Sequence, residues 1–375
     1  MAESTGKGLE GVVAARTKIS DIDGQQGKLF YAGYDIADLA EHASFEETTY
    51  LLHHLDLPTS QQLNELNARL RTGQRLDDFL VRLISALGDD TNPMTVLRTV
   101  VSAAAAHDPD EGNESDEANL RKSYRLVAIT PQIIASFHRL RSGGDAIEPR
   151  EDLSLAGNFL YALTGKVPDV QLARDFDTVL VLYADHTMNA STFAGRVAAA
   201  TLADVYAAAT AAIATLQGPL HGGAIEQVRY MLDDIGALDR ATGWVKERLG
   251  RKQKIMGFGH RVYKTWDPRA RVLRAMGERL GRQVGDTHWY DISAQIQQTV
   301  MEEKGLYPNV DFYTASVYSA LGIPPDLYTT LFATARMAGW TAHIREQYAD
   351  NRLIRPDSEY IGPGPRTYTP IDQRG

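Results

Sequence analysis

Seven polar side chains interrupt apolar or glycine- and proline-marked stretches of this 375-residue chain: His186, His221, His260, Asp311, Arg269, Arg336 and Arg355. His186 follows Asp185 at the end of an apolar run, and His221 stands between Pro219 and Gly222-Gly223. His260 follows Gly257-Phe258-Gly259 and is surrounded by Lys254, Arg261, Lys264 and Arg269. Asp311 opens an apolar helix. Imidazoles and a perturbed carboxylate can move protons near neutral pH. Arginines grip carboxylates through paired N–H donors. As a set, these residues suit acid–base chemistry on a polycarboxylate. Singly, each also has a plain structural reading: a satisfied core histidine, or in the case of Asp311 a helix N-terminal carboxylate.

Local signals place several of them. Asp267-Pro268 reads as an N-cap followed by proline at the first helical position. Arg269 then falls in the first helical turn, where the macrodipole disfavours a cation. It needs an anionic partner, from the protein or from a ligand. A solvated basic loop remains the alternative for the whole stretch 253–269. A helix N-terminus beside His221 would keep that imidazole neutral and able to donate to a developing enolate. No metal site is expected, because the histidines lack close ligand spacing and HExxH is absent.

The net charge of −9 argues against general nucleic-acid binding. Without cysteine the chain has no disulfides or thiolate nucleophiles. The first residues lack an apolar signal core, and no run approaches the roughly 18 apolar residues of a membrane span. A soluble cytoplasmic protein without membrane attachment is expected. Gly257-Phe258-Gly259 lacks the third glycine of a dinucleotide fingerprint, and no Walker A motif occurs.

The elements that must position these residues are almost all helices. Residues 11–34 hold the plausible strands, with a hairpin turning at Asp21-Ile22-Asp23-Gly24. Ser44-Phe45-Glu46-Glu47 is a capping box and Asn92-Pro93 a helix start. Residues 107–116 read as a solvated acidic loop, and Thr130-Pro131 as the opening of a further helix. Residues 174–216 read as two long buried helices, the second rich in alanine. Further helices begin near Ile225, Pro268, Tyr290, Asn309 and Pro324. The expected class is all-α with minimal strand near the N-terminus.

The motifs, taken together, resemble the citrate synthase family of the short archaeal and bacterial type. The likeness runs from Gly8-Leu9-Glu10-Gly11-Val12 to Arg352-Leu353-Ile354-Arg355-Pro356. It is densest in Ala184-Asp185-His186, Asn189-Ala190-Ser191-Thr192, Gly218-Pro219-Leu220-His221-Gly222-Gly223, Gly257-Phe258-Gly259-His260-Arg261-Val262-Tyr263, Asp267-Pro268-Arg269 and Asn309-Val310-Asp311-Phe312-Tyr313. Three positions depart from the family's usual pattern: Ala32, Thr187 and Ile225, the last replacing an asparagine near His221. The resemblance implies a homodimer whose large domain is residues 1–220 with 326–375 and whose small domain is 221–325. It implies condensation of acetyl-CoA with oxaloacetate, the rival being 2-methylcitrate synthesis from propionyl-CoA. A non-catalytic protein binding a carboxylate or CoA metabolite is the more distant rival. Asp311 would be the base, His221 the enolate donor and His260 the donor to the oxaloacetate carbonyl. His186, Arg269 and Arg336 would bind oxaloacetate, joined by Arg355 from the partner subunit. Gln253, Lys254, Ile255, Met256 and Gly257 would line coenzyme A, which acts as substrate and product. No tightly bound cofactor is implied.

Overall fold

A computed structural model describes residues 7–9 and 11–374. Near the N-terminus, β1 (Ser20–Asp23), β2 (Lys28–Tyr31) and β3 (Tyr34–Asp35) form an antiparallel sheet in chain order, with Ser20 opposite Tyr31 and Asp23 opposite Lys28. The turn therefore lies at 24–27, three residues later than the sequence pattern suggests, and 12–18 form no strand. Asp23 explains the shift: its Oδ1 accepts from the N–H groups of Gln25 and Gln26 at 3.0 and 2.8 Å, closing the turn after it.

The rest is helical. α1 (Ile36–His42), α2 (Phe45–His54), α3 (Ser60–Gly73), α4 (Asp78–Ala86) and α5 (Pro93–Ala104) come first. Ser44 and Glu47 form the expected reciprocal box on α2, and Asn92 caps α5. α3 and α4 have no counterpart in the sequence reading. Apolar residues are sparse in α3 and frequent in the short α4, and caps at Thr59 and Asp77 start the two helices. The acidic stretch 107–116 is not simply solvated. Arg125 holds Asp108 through Nε at 2.7 Å, and buried Lys122 reaches Glu114 at 3.0 Å. Both cations lie on α6 (Asp116–Arg141).

Pro131 lies inside α6 and does not open a new helix. It removes one N–H from the ladder, and Thr130 Oγ1 donates to the Leu126 carbonyl at 2.6 Å in the same turn. Leu126 through Phe137 are all buried, so packing on several sides outweighs the local penalty.

α7 (Leu155–Thr164) ends on left-handed Gly165. Residues 174–216 make three helices, not two: α8 (Val170–Tyr183), α9 (Ala190–Ala200) and α10 (Val205–Leu216). The alanine run breaks where Leu202 takes φ 63° and Asp204 caps α10. Next come α11 (Ala224–Ile235), α12 (Leu238–Gly250), α13 (Pro268–Val284), α14 (His288–Lys304) and α15 (Val310–Ala320), which pack chiefly on one another. α16 (Tyr328–Ala349) is buried on every side from Tyr328 to Ile344 and packs on α6, α8, α9 and α10. The tail beyond it is irregular and almost wholly exposed. Among the described residues no helix is long and apolar enough to cross a membrane.

Candidate active site

Helix ends converge beside α16. His186 sits in the α8–α9 connection, with its Nε2 3.3 Å from the Tyr263 hydroxyl and its ring 5.3 Å from that of His260. Burial, then Arg269 and His260, push the His186 pKa well below its ordinary value, so the ring is neutral. His260 is pushed down to about 4 by burial and by Arg269. Its Nδ1 accepts from the N–H groups of Val262 and Tyr263 at 3.0 and 3.2 Å. The ring proton is thus fixed on Nε2, which becomes a donor.

His221 is pushed down to about 4 by burial and by Arg336. Its neutrality was expected from a helix dipole, but burial is the main cause. The residue lies two positions ahead of the α11 cap Gly223. His221 Nε2 is 2.8 Å from Ser191 Oγ, which accepts from Trp340 Nε1 at 3.1 Å. Asn189 Oδ1 already accepts from the backbone N–H groups of Ser191 and Thr192, each at 3.1 Å. The Ser191 hydroxyl has one proton and two acceptors in reach, Asn189 Oδ1 at 2.7 Å and His221 Nε2 at 2.8 Å; donated to His221, it leaves the ring proton on Nδ1.

Asp311 is the second residue of α15, capped by Asn309. A helix N-terminus alone would lower its pKa. Burial prevails over Arg269 and a 3.2 Å hydrogen bond from Tyr183, and raises it to about 6. Tyr183 packs edge-on against Phe332 at 4.8 Å, and Phe332 lies 6.1 Å from His221. The carboxylate and the imidazole thus share one aromatic wall.

The two arginines differ. Arg269 donates through Nε and Nη2 to both oxygens of its own N-cap, Asp267, at 3.0 and 2.8 Å. Burial opposes its charge, but Asp267 more than offsets that and holds the pKa above its ordinary range. The anionic partner that an arginine in a first helical turn needs is thus a protein carboxylate on this edge of the guanidinium. Arg336 is equally buried and donates through Nε to the Tyr183 carbonyl at 2.7 Å. No carboxylate lies in ion-pair range of it among the described residues, and burial pulls its pKa down to about 10.

Arg355 is not brought to this place. It lies in the exposed tail, 3.2 Å from Asp357. In the segment 253–257, Gln253 and Lys254 are exposed while Ile255 and Gly257 are buried. The Gly257 carbonyl accepts from Asn309 N at 2.9 Å, and a Cβ there would press on Phe312. This ties the segment to the start of α15. Ile225 is fully buried in the apolar core, where it serves packing. Thr187 takes φ 50°, unfavourable for a β-branched residue, and is held there by hydrogen bonds from its N–H to Ser20 Oγ and Asp185 Oδ2, each 3.1 Å.

Ser191, Tyr183, Asp267 and Tyr263 were not assigned from sequence. A serine two residues after a capping asparagine, and a capping aspartate two before an arginine, were the available signals.

Three neutral imidazoles, a carboxylate poised near neutral pH and two buried guanidiniums, one at the start of α13 and one in the middle of α16, suit an all-α enzyme that does acid–base chemistry on an anionic substrate. The comparisons narrow this. The family model described as "Citrate synthase, C-terminal domain" matches residues 8–357. A citrate synthase of Haloferax volcanii is 49% identical over 98% of both chains. The crystal structure of citrate synthase from Pyrobaculum aerophilum superposes with TM-score 0.93 at 38% identity, covering 98% of this chain and 95% of that one. A ternary complex of carboxymethyl coenzyme A and oxaloacetate with citrate synthase from Thermoplasma acidophilum gives 0.92 at 35% identity, covering 98% and 99%. The chain belongs to the citrate synthase family.

Proposed function

We propose that the protein is an acyltransferase that condenses acetyl-CoA with oxaloacetate and water, giving citrate and free coenzyme A in the tricarboxylic acid cycle. The observation that carries this reading is Asp311, a buried carboxylate with its pKa raised to about 6, sharing an aromatic wall with a neutral His221. Asp311 takes a proton from the acetyl methyl group as the C–H bond breaks. The electron pair moves toward the thioester oxygen, where His221 Nδ1–H donates. Neutral donors suit this step, because a charged imidazolium would protonate the oxygen too early. The enol carbon attacks the ketone carbon of oxaloacetate, and His260 Nε2 donates to the carbonyl oxygen. Water then cleaves the thioester of citryl-CoA.

His186, Arg269 and Arg336 bind the oxaloacetate carboxylates and carbonyl. A buried guanidinium whose one hydrogen-bond partner among the described residues is a backbone carbonyl, and which lies 4.8 Å from the Phe332 ring, is one that a ligand carboxylate would satisfy. Arg355 completes the site from a second copy of the chain. A homodimer is supported by the exposed tail, which leaves Leu353, Tyr360 and Ile361 uncovered on the single chain. Residues 1–220 with 326–375 form the large domain. Residues 221–325 form the small domain, whose helices pack chiefly on one another, and it closes over the substrates. Gln253 to Gly257 line coenzyme A.

The test is oxaloacetate-dependent thiol release, run in parallel with acetyl-CoA and propionyl-CoA. A higher kcat/KM with acetyl-CoA is expected. Preference for propionyl-CoA would make the protein a 2-methylcitrate synthase, and no thiol release with either would overturn the enzymatic reading.

A further inference from the structure

The small sheet carries none of the residues assigned to chemistry, yet its two ends touch the two loops that carry His186 and His260. At its base, Ser20 Oγ donates to Asp185 Oδ2 and accepts from Thr187 N. Opposite Ser20, the Tyr31 hydroxyl donates to the Asp185 carbonyl at 2.9 Å and accepts from Asp185 N at 3.1 Å. The residues on either side of His186 are therefore tied to β1 and β2. At the tip, the Gly24 carbonyl accepts from Lys264 N at 2.9 Å. A Cβ on Gly24 would run into the Val262 carbonyl oxygen, and one on Gly27 would come within 2.6 Å of the Trp266 carbonyl oxygen. Val262 to Trp266 is the stretch between His260 and Arg269. Gly24, unlike Gly27, has no left-handed φ. The turn itself does not require glycine at 24; the contact does.

We propose that the hairpin is a brace for the oxaloacetate site, its base setting the His186 loop and its tip setting the His260–Arg269 loop, with Gly24, Gly27 and Tyr31 as positioning residues. Four-residue strands span about 13 Å, enough to reach from one loop to the other. A shared rigid reference matters because displacing a reacting or binding group by about 1 Å can cost about 100-fold in rate. The inference rests on the citrate synthase reading for its substrate and deepens it.

The test compares Gly24→Ala with Gln25→Ala, an exposed turn residue, in the full chain. Gly24→Ala is expected to raise the KM for oxaloacetate about tenfold with little change in kcat and no large change in thermal midpoint. It is also expected to raise deuterium uptake across 262–266 without substrate, and Gln25→Ala should match the parent in all respects. An unchanged KM, unchanged uptake, or the same changes in Gln25→Ala would overturn the brace. Should Gly24→Ala not fold, Tyr31→Phe tests the base: a raised oxaloacetate KM supports the brace and an unchanged one overturns it. Uptake is read without turnover, so it still judges the brace if the parent protein releases no thiol. That last outcome would instead count against the citrate synthase reading.

Discussion

Replacing the Asp311 carboxylate by an amide of the same shape should make the protein more stable and nearly inactive. Burial raises this carboxyl from 3.8 to about 6. A carboxyl with a folded pKa above its unfolded one binds its proton more tightly in the native state. Its favourable contribution is complete below 3.8 and is lost as pH rises through about 6. Above that, the ionised group costs the native state roughly two tenfold steps at about 1.4 kcal/mol each, or about 3 kcal/mol. Asparagine carries no such cost, and its Oδ1 can still accept from Tyr183, which lies 3.2 Å from the carboxylate oxygen. Asp311→Asn should therefore gain about 3 kcal/mol at pH 8. At pH 4.5 the parent is already protonated when folded, and the gain should shrink to about 1 kcal/mol. Urea unfolding of both proteins at the two pH values reads this directly. In the same preparations, thiol release should fall about 100- to 10,000-fold, and the parent's kcat/KM should drop about tenfold per pH unit below about 6. Equal stability at pH 8, or a gain independent of pH, would refute the argument that burial drives this base.

The two buried arginines should differ in what their loss costs the fold. Arg336→Leu removes a guanidinium that has no carboxylate partner among the described residues. It should raise the oxaloacetate KM at least about 100-fold while changing unfolding free energy by less than about 2 kcal/mol, because hydrophobic replacement of a buried charge is often near neutral. Arg269→Leu leaves the buried Asp267 carboxylate unpaired. It should cost about 3–5 kcal/mol in urea unfolding besides weakening oxaloacetate, so a merely weakened but fully stable variant would contradict the ion pair. Ser191→Ala removes the hydroxyl that in the proposed mechanism donates to His221 Nε2 and so keeps the ring proton on Nδ1. Its kcat should fall about 100-fold with the oxaloacetate KM little changed, and a change confined to KM would refute that role.

Legibility in the sequence follows from how local each feature is. Caps and breakers were readable: the Ser44–Glu47 box, Asn92-Pro93 and Asp267-Pro268 all act within a few residues. Pro131 misled because what keeps α6 continuous is burial on several sides, which no window of sequence contains. The alanine run misled because alanine suits both a continuous helix and two close-packed ones, and α9 and α10 do pack on each other. His186, His221, His260, Asp311, Arg269 and Arg336 were findable as ionisable groups in apolar or glycine-marked settings. Arg355 stays in the exposed tail of the single chain beside Asp357, away from the other six. What could not be read was the second layer, Ser191 beneath His221 and Asp267 beneath Arg269. Serine and aspartate near helix starts usually cap. Asp267 does cap α13, with its Oδ1 3.1 Å from Arg269 N, while also gripping the Arg269 side chain.

α16 explains how loops far apart in sequence hold one geometry. Phe332, Arg336, Trp340 and His343 fall at spacings of four, four and three, one stripe of a helix. Over about 17 Å that stripe meets His221 and Tyr183 through Phe332, and the Tyr183 carbonyl through Arg336. It meets Ser191 through Trp340, and Asp185 through His343 Nε2 at 3.3 Å. Between them Gly339 N donates to the Ala184 carbonyl at 3.1 Å, and a Cβ there would collide with that carbonyl and with the Asp185 side chain. The loop holding His186 can therefore lie directly on the helix backbone. Arg196 reaches His343 Nδ1 at 3.1 Å from the far side, leaving the His343 proton on Nε2, facing Asp185. Asp185 stays charged against the cost of its burial, held below the usual carboxylate range by His343. A helix that serves as a ruler for several loops must be packed on all sides. That is why α16 shows no polar face, and why apolar periodicity could locate it but could not orient it.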